Sequence, residues 1–251
     1  MKLATTLLLS ALSVAQAATI VNFGQTGGDT LSSGNANGTL NHTYDPLTNG
    51  YQNPADGTNG YSTEVAGQTR KFYGAISTPA NIYGINGDHI QMVYNTGGSG
   101  GNVTSMIAWQ QEDFLTHNTG GVSVTSFDME FQTRGGDTTA YYLIETADGW
   151  HQSQVFTNDD YTSTAKNIGD LTWSGFDNFG VTNGADNEAI ADTDSILSVG
   201  AYFDSTLASG TNWTGAKLRY FNVAGTAAVP EPSSTALLGL GGLSFILRRR
   251  R

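Results

Sequence analysis

Through the middle of the chain, hydrophobic and polar residues alternate in short runs broken by glycine. KFYGAIS (71–77), HIQMVYN (89–95) and TSMIAWQ (104–110) are rich in β-branched and aromatic residues, which predicts strands. VSVTSFDMEFQTR (122–134) alternates twice: Val122 and Val124 share one face, then Phe127, Met129 and Phe131 share one. The phase changes near Ser126, and one inserted residue there predicts a β-bulge or a sheet-changing bend. TAYYLIET (139–146) and WHQSQVF (150–156) are joined by Ala147-Asp148-Gly149, a hairpin signal. LTWSGF (171–176), SILSVGAYF (195–203) and AKLRYFNVAG (216–225) complete the set. Many short strands without intervening helical periodicity predict an all-β fold, a single β-sandwich of jelly-roll type over residues 18–223. Ahead of them, from Gly24 to Gly67, turn signals dominate: Asn-Gly at 37–38, 49–50 and 59–60, and Asp56-Gly57. Long N-terminal loops with short strands follow from that chemistry.

The two ends follow other patterns. Lys2 precedes an uncharged apolar stretch from Leu3 to Val14, and Ala15-Gln16-Ala17 has the small-x-small form of a secretory cleavage site. This predicts a signal helix over 1–17, removed to leave Ala18 as the first residue. At the other end, the small residues after Val223 read as a linker over 224–229. Pro230-Glu231-Pro232 follows, then an uncharged run from Ser233 to Leu247, then Arg248, Arg249, Arg250 and Arg251. As a helix the run would be roughly 22 Å long, short of the ~30 Å hydrocarbon core. The arginines place its far end in the cytoplasm, so the sandwich would lie on the opposite side, as the signal peptide independently requires.

Residues 230–251 resemble the PEP-CTERM sorting signal of exported bacterial proteins: Pro-Glu-Pro, apolar segment and basic cluster stand in that signal's order. The resemblance is confined to this tail. It implies recognition by an exosortase, a membrane cysteine protease that cuts near the motif and removes the anchor. It also implies a Gram-negative-type bacterium that makes exopolysaccharide, and a location in the cell envelope, on the surface or in the extracellular matrix. A simple membrane anchor is the alternative for the same residues.

Charge and composition narrow the role of the sandwich. Without the two ends, the basic residues are Arg70, Lys71, Arg134, Lys166, Lys217 and Arg219, against all of the 22 carboxylates except Glu231. So acidic a surface repels phosphate backbones, which argues against nucleic acid. Cysteine is absent, so no disulfide staples the fold and the core must suffice.

Four sequence features bear on chemistry. Gly97-Gly98-Ser99-Gly100-Gly101 fits Gly-x-Ser-x-Gly, but a nucleophile elbow needs a helix after it, and the next residues read as a strand. SFDMEF resembles the Glu-x-Asp-x-Glu strand of jelly-roll β-glucanases, with Asp128 and Glu130 at its second and third acidic positions and Ser126 at the first. A retaining glycosidase needs two carboxyls about 5 Å apart across the bond, so Ser126 removes half of that pair. Trp150, His151 and Tyr141 are candidates for stacking on or hydrogen-bonding a glycan. Asp186, Glu188, Asp192 and Asp194 form an oxygen-rich loop of the kind that suits calcium; no other cofactor is expected. The reading is an exported surface or matrix protein without catalysis that binds polysaccharide. Its rivals are a glycoside hydrolase or lyase acting on exopolysaccharide, and a purely structural coat protein.

Overall fold

The computed structural model describes residues 16–24, 40–41, 61–65, 68–76, 81–86, 89–95, 97–115, 122–157, 164–178, 181–191, 194–207 and 212–227. In chain order its strands are β1 (Gln16–Gly24), β2 (Leu40–Asn41), β3 (Tyr61–Val65), β4 (Gln68–Ile76) and β5 (Asn81–Asn86). Then come β6 (His89–Asn95), β7 (Gly101–Gln110), β8 (Val122–Thr133), β9 (Asp137–Thr146) and β10 (Gly149–Ser153). The last are β11 (Phe156–Thr157), β12 (Lys166–Asn167), β13 (Trp173–Gly175), β14 (Ser198–Leu207) and β15 (Trp213–Ala227). Among the described residues the only helices are single 3-10 turns at Gln111–Asp113 and Ile168–Asp170.

The strands form two antiparallel sheets. One is six-stranded, in the order β12-β8-β15-β6-β5, with β1 also paired to β15; the other is nine-stranded, β13-β10-β9-β14-β7-β4-β3-β2, with β11 on β9. The chain crosses between sheets from β6 to β7, β7 to β8, β8 to β9 and β14 to β15, and the final strand inserts between β6 and β8. That wrap of a late strand between two early ones is the Greek-key winding of a jelly roll, as the strand spacing predicts.

Alternation puts one apolar face of each sheet inside. A chain of aromatic rings runs through the interface: Trp109 stacks on Phe221 at 4.9 Å, and Phe127 on Tyr142 at 4.8 Å. Phe23 closes on Trp109 at 5.5 Å and Phe156 meets Tyr142 edge-on at 4.9 Å. Large, fully buried rings supply the stabilisation that disulfides give smaller secreted folds.

The phase change in β8 is a bulge. Val124 pairs with Gly225 and Ser126 with Ala224, so Thr125 is the extra residue. Inserting it keeps Val122 and Val124 on the same buried side as Phe127, Met129 and Phe131. The β9–β10 hairpin also forms as expected, with Gly149 opposite Thr146. Gly97–Gly101 connects β6 to β7 across the two sheets, and a strand follows it, so the helix of a nucleophile elbow is missing.

At the ends, the structure moves two boundaries. Residues 224–227, expected as the start of a linker, belong to β15 and pair with both β1 and β8. Their small size answers crowding: a Cβ on Gly225 would collide with the Ser123 carbonyl and the Ile20 side chain. Gln16 and Ala17, expected at the end of the signal helix, pair with Ala227 and Thr226 as the start of β1. The rest of that helix, residues 228–251 and most of 24–67 lie outside the described residues. Among the described residues no helix is long and apolar enough to cross a membrane.

Candidate functional site

The outer face of the nine-stranded sheet carries the aromatic and histidine candidates. Trp150 is 2% exposed and packs in a second cluster with Met106, Leu143, Phe176, Val181 and Tyr202. A strap over residues 176–191 covers it. The Trp150 N–H donates to the Thr182 carbonyl at 2.8 Å, and the Trp150 carbonyl accepts from Phe176 and Gly184 N–H at 2.9 Å each. Its side chain also bonds Glu145, whose carboxylate accepts from Ser198 Oγ at 2.5 Å. Burial raises the Glu145 carboxyl above its ordinary range, against the lowering effect of these two bonds.

His151 is fully buried, with Nε2 3.3 Å from Thr146 Oγ1 and 3.0 Å from Glu188 Oε2, the latter outside hydrogen-bond alignment. Gly184 lies flat on the imidazole, where a Cβ would overlap the ring. Neither Trp150 nor His151 therefore presents a ring to solvent. Tyr141 is partly exposed and meets Tyr202 at 5.5 Å between centroids.

The acidic candidates divide among local partners. Asp186 Oδ1 accepts from Gly175 N–H at 3.0 Å, Asp194 Oδ2 accepts from Ala191 N–H at 2.8 Å, and Glu188 faces His151. Asp192 lies outside the described residues. Among the described residues no group of three or more His, Asp or Glu side chains is placed to hold a metal ion.

Asp128 and Glu130 share the outer face of the six-stranded sheet, as alternation requires with Phe127, Met129 and Phe131 buried. Asp128 Oδ1 accepts from Thr164 N–H at 3.2 Å. Glu130 Oε2 accepts from Arg219 Nε at 3.1 Å and from its terminal nitrogen at 2.7 Å. Arg219 is itself a bulge residue, skipped between the pairs Leu218–Phe131 and Tyr220–Glu130. The inserted residue is what lets its guanidinium reach Glu130. Both carboxylates are thus engaged by groups of the fold.

One cluster on this face was not singled out in the sequence. Trp109, Trp150 and Trp173 are 4%, 2% and 3% exposed, whereas Trp213 is partly exposed. The Arg134 guanidinium carbon lies 5.4 Å from the Trp213 ring centroid. The signal was present: Trp213 is in phase with Gly215 and Lys217, and out of phase with Thr214, Ala216 and Leu218, which are buried.

The remaining candidates stand at the end of β15, where the strand runs to Ala227 and the next residues are Ala228, Val229 and Pro230. Residues 228–251 match the PEP-CTERM protein-sorting motif. Pro230, Glu231, Pro232 and Arg248 to Arg251 all fall inside this PEP-CTERM segment. The motif is the substrate signal of exosortase, a membrane protease, and carries the exported protein across the membrane to the cell surface or envelope. No curated protein matches the chain.

Proposed function

We propose that this is a non-catalytic surface protein that holds polysaccharide outside the cell. Export begins with a signal peptide cut after Ala17. The 233–247 segment then holds the chain in the inner membrane, arginines inward, until exosortase cuts near Pro230–Pro232. The observation that carries this reading is the sorting motif, set directly on the last strand of a secreted-type sandwich.

The absence of catalysis is inferred from the carboxylates that best fit a glycosidase. Asp128 is bonded by Thr164 and Glu130 by Arg219. Position 126, where a third acid would stand, is serine. Double displacement across a glycosidic bond needs a nucleophile and an acid facing one another, and this pair lies side by side on one strand. Incubating the exported protein with exopolysaccharide of its host tests the reading. Co-sedimentation without new reducing or unsaturated ends is expected. Release of such ends would make the protein a hydrolase or lyase, and failure to co-sediment would leave a purely structural coat protein.

A further inference from the structure

Resting on that reading, we infer that an acidic saccharide binds at the corner of the six-stranded sheet formed by Trp213, Arg134, Gln132 and Lys217. The sugar ring lies against the indole and its carboxylate is held by Arg134.

Trp213 is the exception among the tryptophans: three are buried, and this one is left partly exposed at the first position of β15. An indole offers an apolar face to sugar C–H groups. The guanidinium of Arg134 beside it is planar and presents paired donors that match a carboxylate. Stacking on the ring holds that fork in place before a ligand arrives.

Charge on the same face points to the ligand's sign. Of the sandwich's six basic residues, Arg134, Lys217 and Arg219 gather here, in a protein of net charge −11. Lys217 Nζ donates to Gln132 Oε1 at 3.3 Å, and these two residues are directly paired across β8 and β15. Arg219 is neutralised locally by Glu130, which leaves Arg134 and Lys217 nearest the indole as the cationic pair. Between Trp213 and Lys217 the outward position is Gly215, which carries no side chain.

The backbone beneath the corner is fixed. Arg134 N–H donates to the Gly215 carbonyl at 2.8 Å, and Thr214 Oγ1 donates to the Gly135 carbonyl at 3.3 Å. Gly215, at φ 136, brings β15 so close to β6 that a Cβ would strike the Met92 carbonyl. The β8–β9 turn and the start of β15 are therefore one rigid platform. Moreover, the corner sits at the opposite end of β15 from the sorting motif, about 45 Å away at the usual strand rise. While the tail is in the membrane, this end points outward.

The test titrates the exported protein with polygalacturonate oligomers and with neutral dextran oligomers, read by calorimetry and tryptophan fluorescence. Wild type should bind the acidic oligomer roughly tenfold or more tighter than the neutral one, and lose that preference as ionic strength rises. Trp213→Ala should weaken the acidic oligomer by at least roughly tenfold. Arg134→Gln should abolish the preference while thermal unfolding stays as in wild type. If either variant unfolds, Lys217→Gln supplies a milder reading of the same preference. Tight polygalacturonate binding that survives every substitution overturns this site and leaves the surface-polysaccharide role intact. Tighter binding of dextran overturns the acidic ligand class. Binding to neither, nor to the host polysaccharide, overturns both readings.

Discussion

Glu145 shows how single residues on the nine-stranded sheet trade burial against bonding. Its carboxyl is raised by burial, so the folded state holds its proton to higher pH than the unfolded chain does. Its contribution favours folding in acid and is lost as pH rises through the folded value. Glu145→Gln keeps an acceptor for Ser198 and for the Trp150 side chain without the buried charge. The variant should melt above wild type at neutral pH, and the difference should shrink as pH falls below the ordinary carboxylate range. A gap that widens in acid would contradict the assignment. Which tryptophans bury was harder to see at this scale. Trp150 and Trp213 both open strand-like runs, but Trp150 is covered by the 176–191 strap, whose sequence has no period to announce that it crosses a sheet. Trp213 could have been separated by its phase with Lys217.

At the scale of elements, the strands were legible because half-buried β residues must alternate, and a break in alternation has few causes. The extra residue at Thr125 is such a break, visible as two hydrophobic phases in one run. The 224–227 segment was misread because small residues accompany both flexibility and close packing. Here Gly225 is pressed against Ser123 and Ile20 from neighbouring strands. Gly225→Ala should therefore cost roughly 1–3 kcal/mol, the penalty of overpacking. Gly169→Ala, where a Cβ would meet nothing within 4 Å, should leave stability nearly unchanged. Equal thermal midpoints for the two variants would return 224–227 to the status of a linker. Binding surfaces were less legible than strands, since the Arg134–Trp213 contact joins residues from β15 and the β8–β9 turn.

For the whole molecule, the last strand sets the geometry of sorting. β1 and β15 are antiparallel, with Ala18 opposite Gly225, so the predicted mature N terminus and the start of the sorting motif leave the sandwich side by side. Only Ala228 and Val229 separate the end of β15 from Pro230. The folded domain is held close to the membrane at that end and exposes the Trp213 corner at the other. The account stands on the chain being cut at the motif and released from its anchor. Intact-mass spectrometry of protein recovered from the host envelope, in wild type and in a strain lacking exosortase, measures this directly. A mature form ending near Pro230–Pro232 in wild type, with Arg248–Arg251 retained only in the mutant, is the predicted result. The same four arginines on the mature protein of both strains would contradict it.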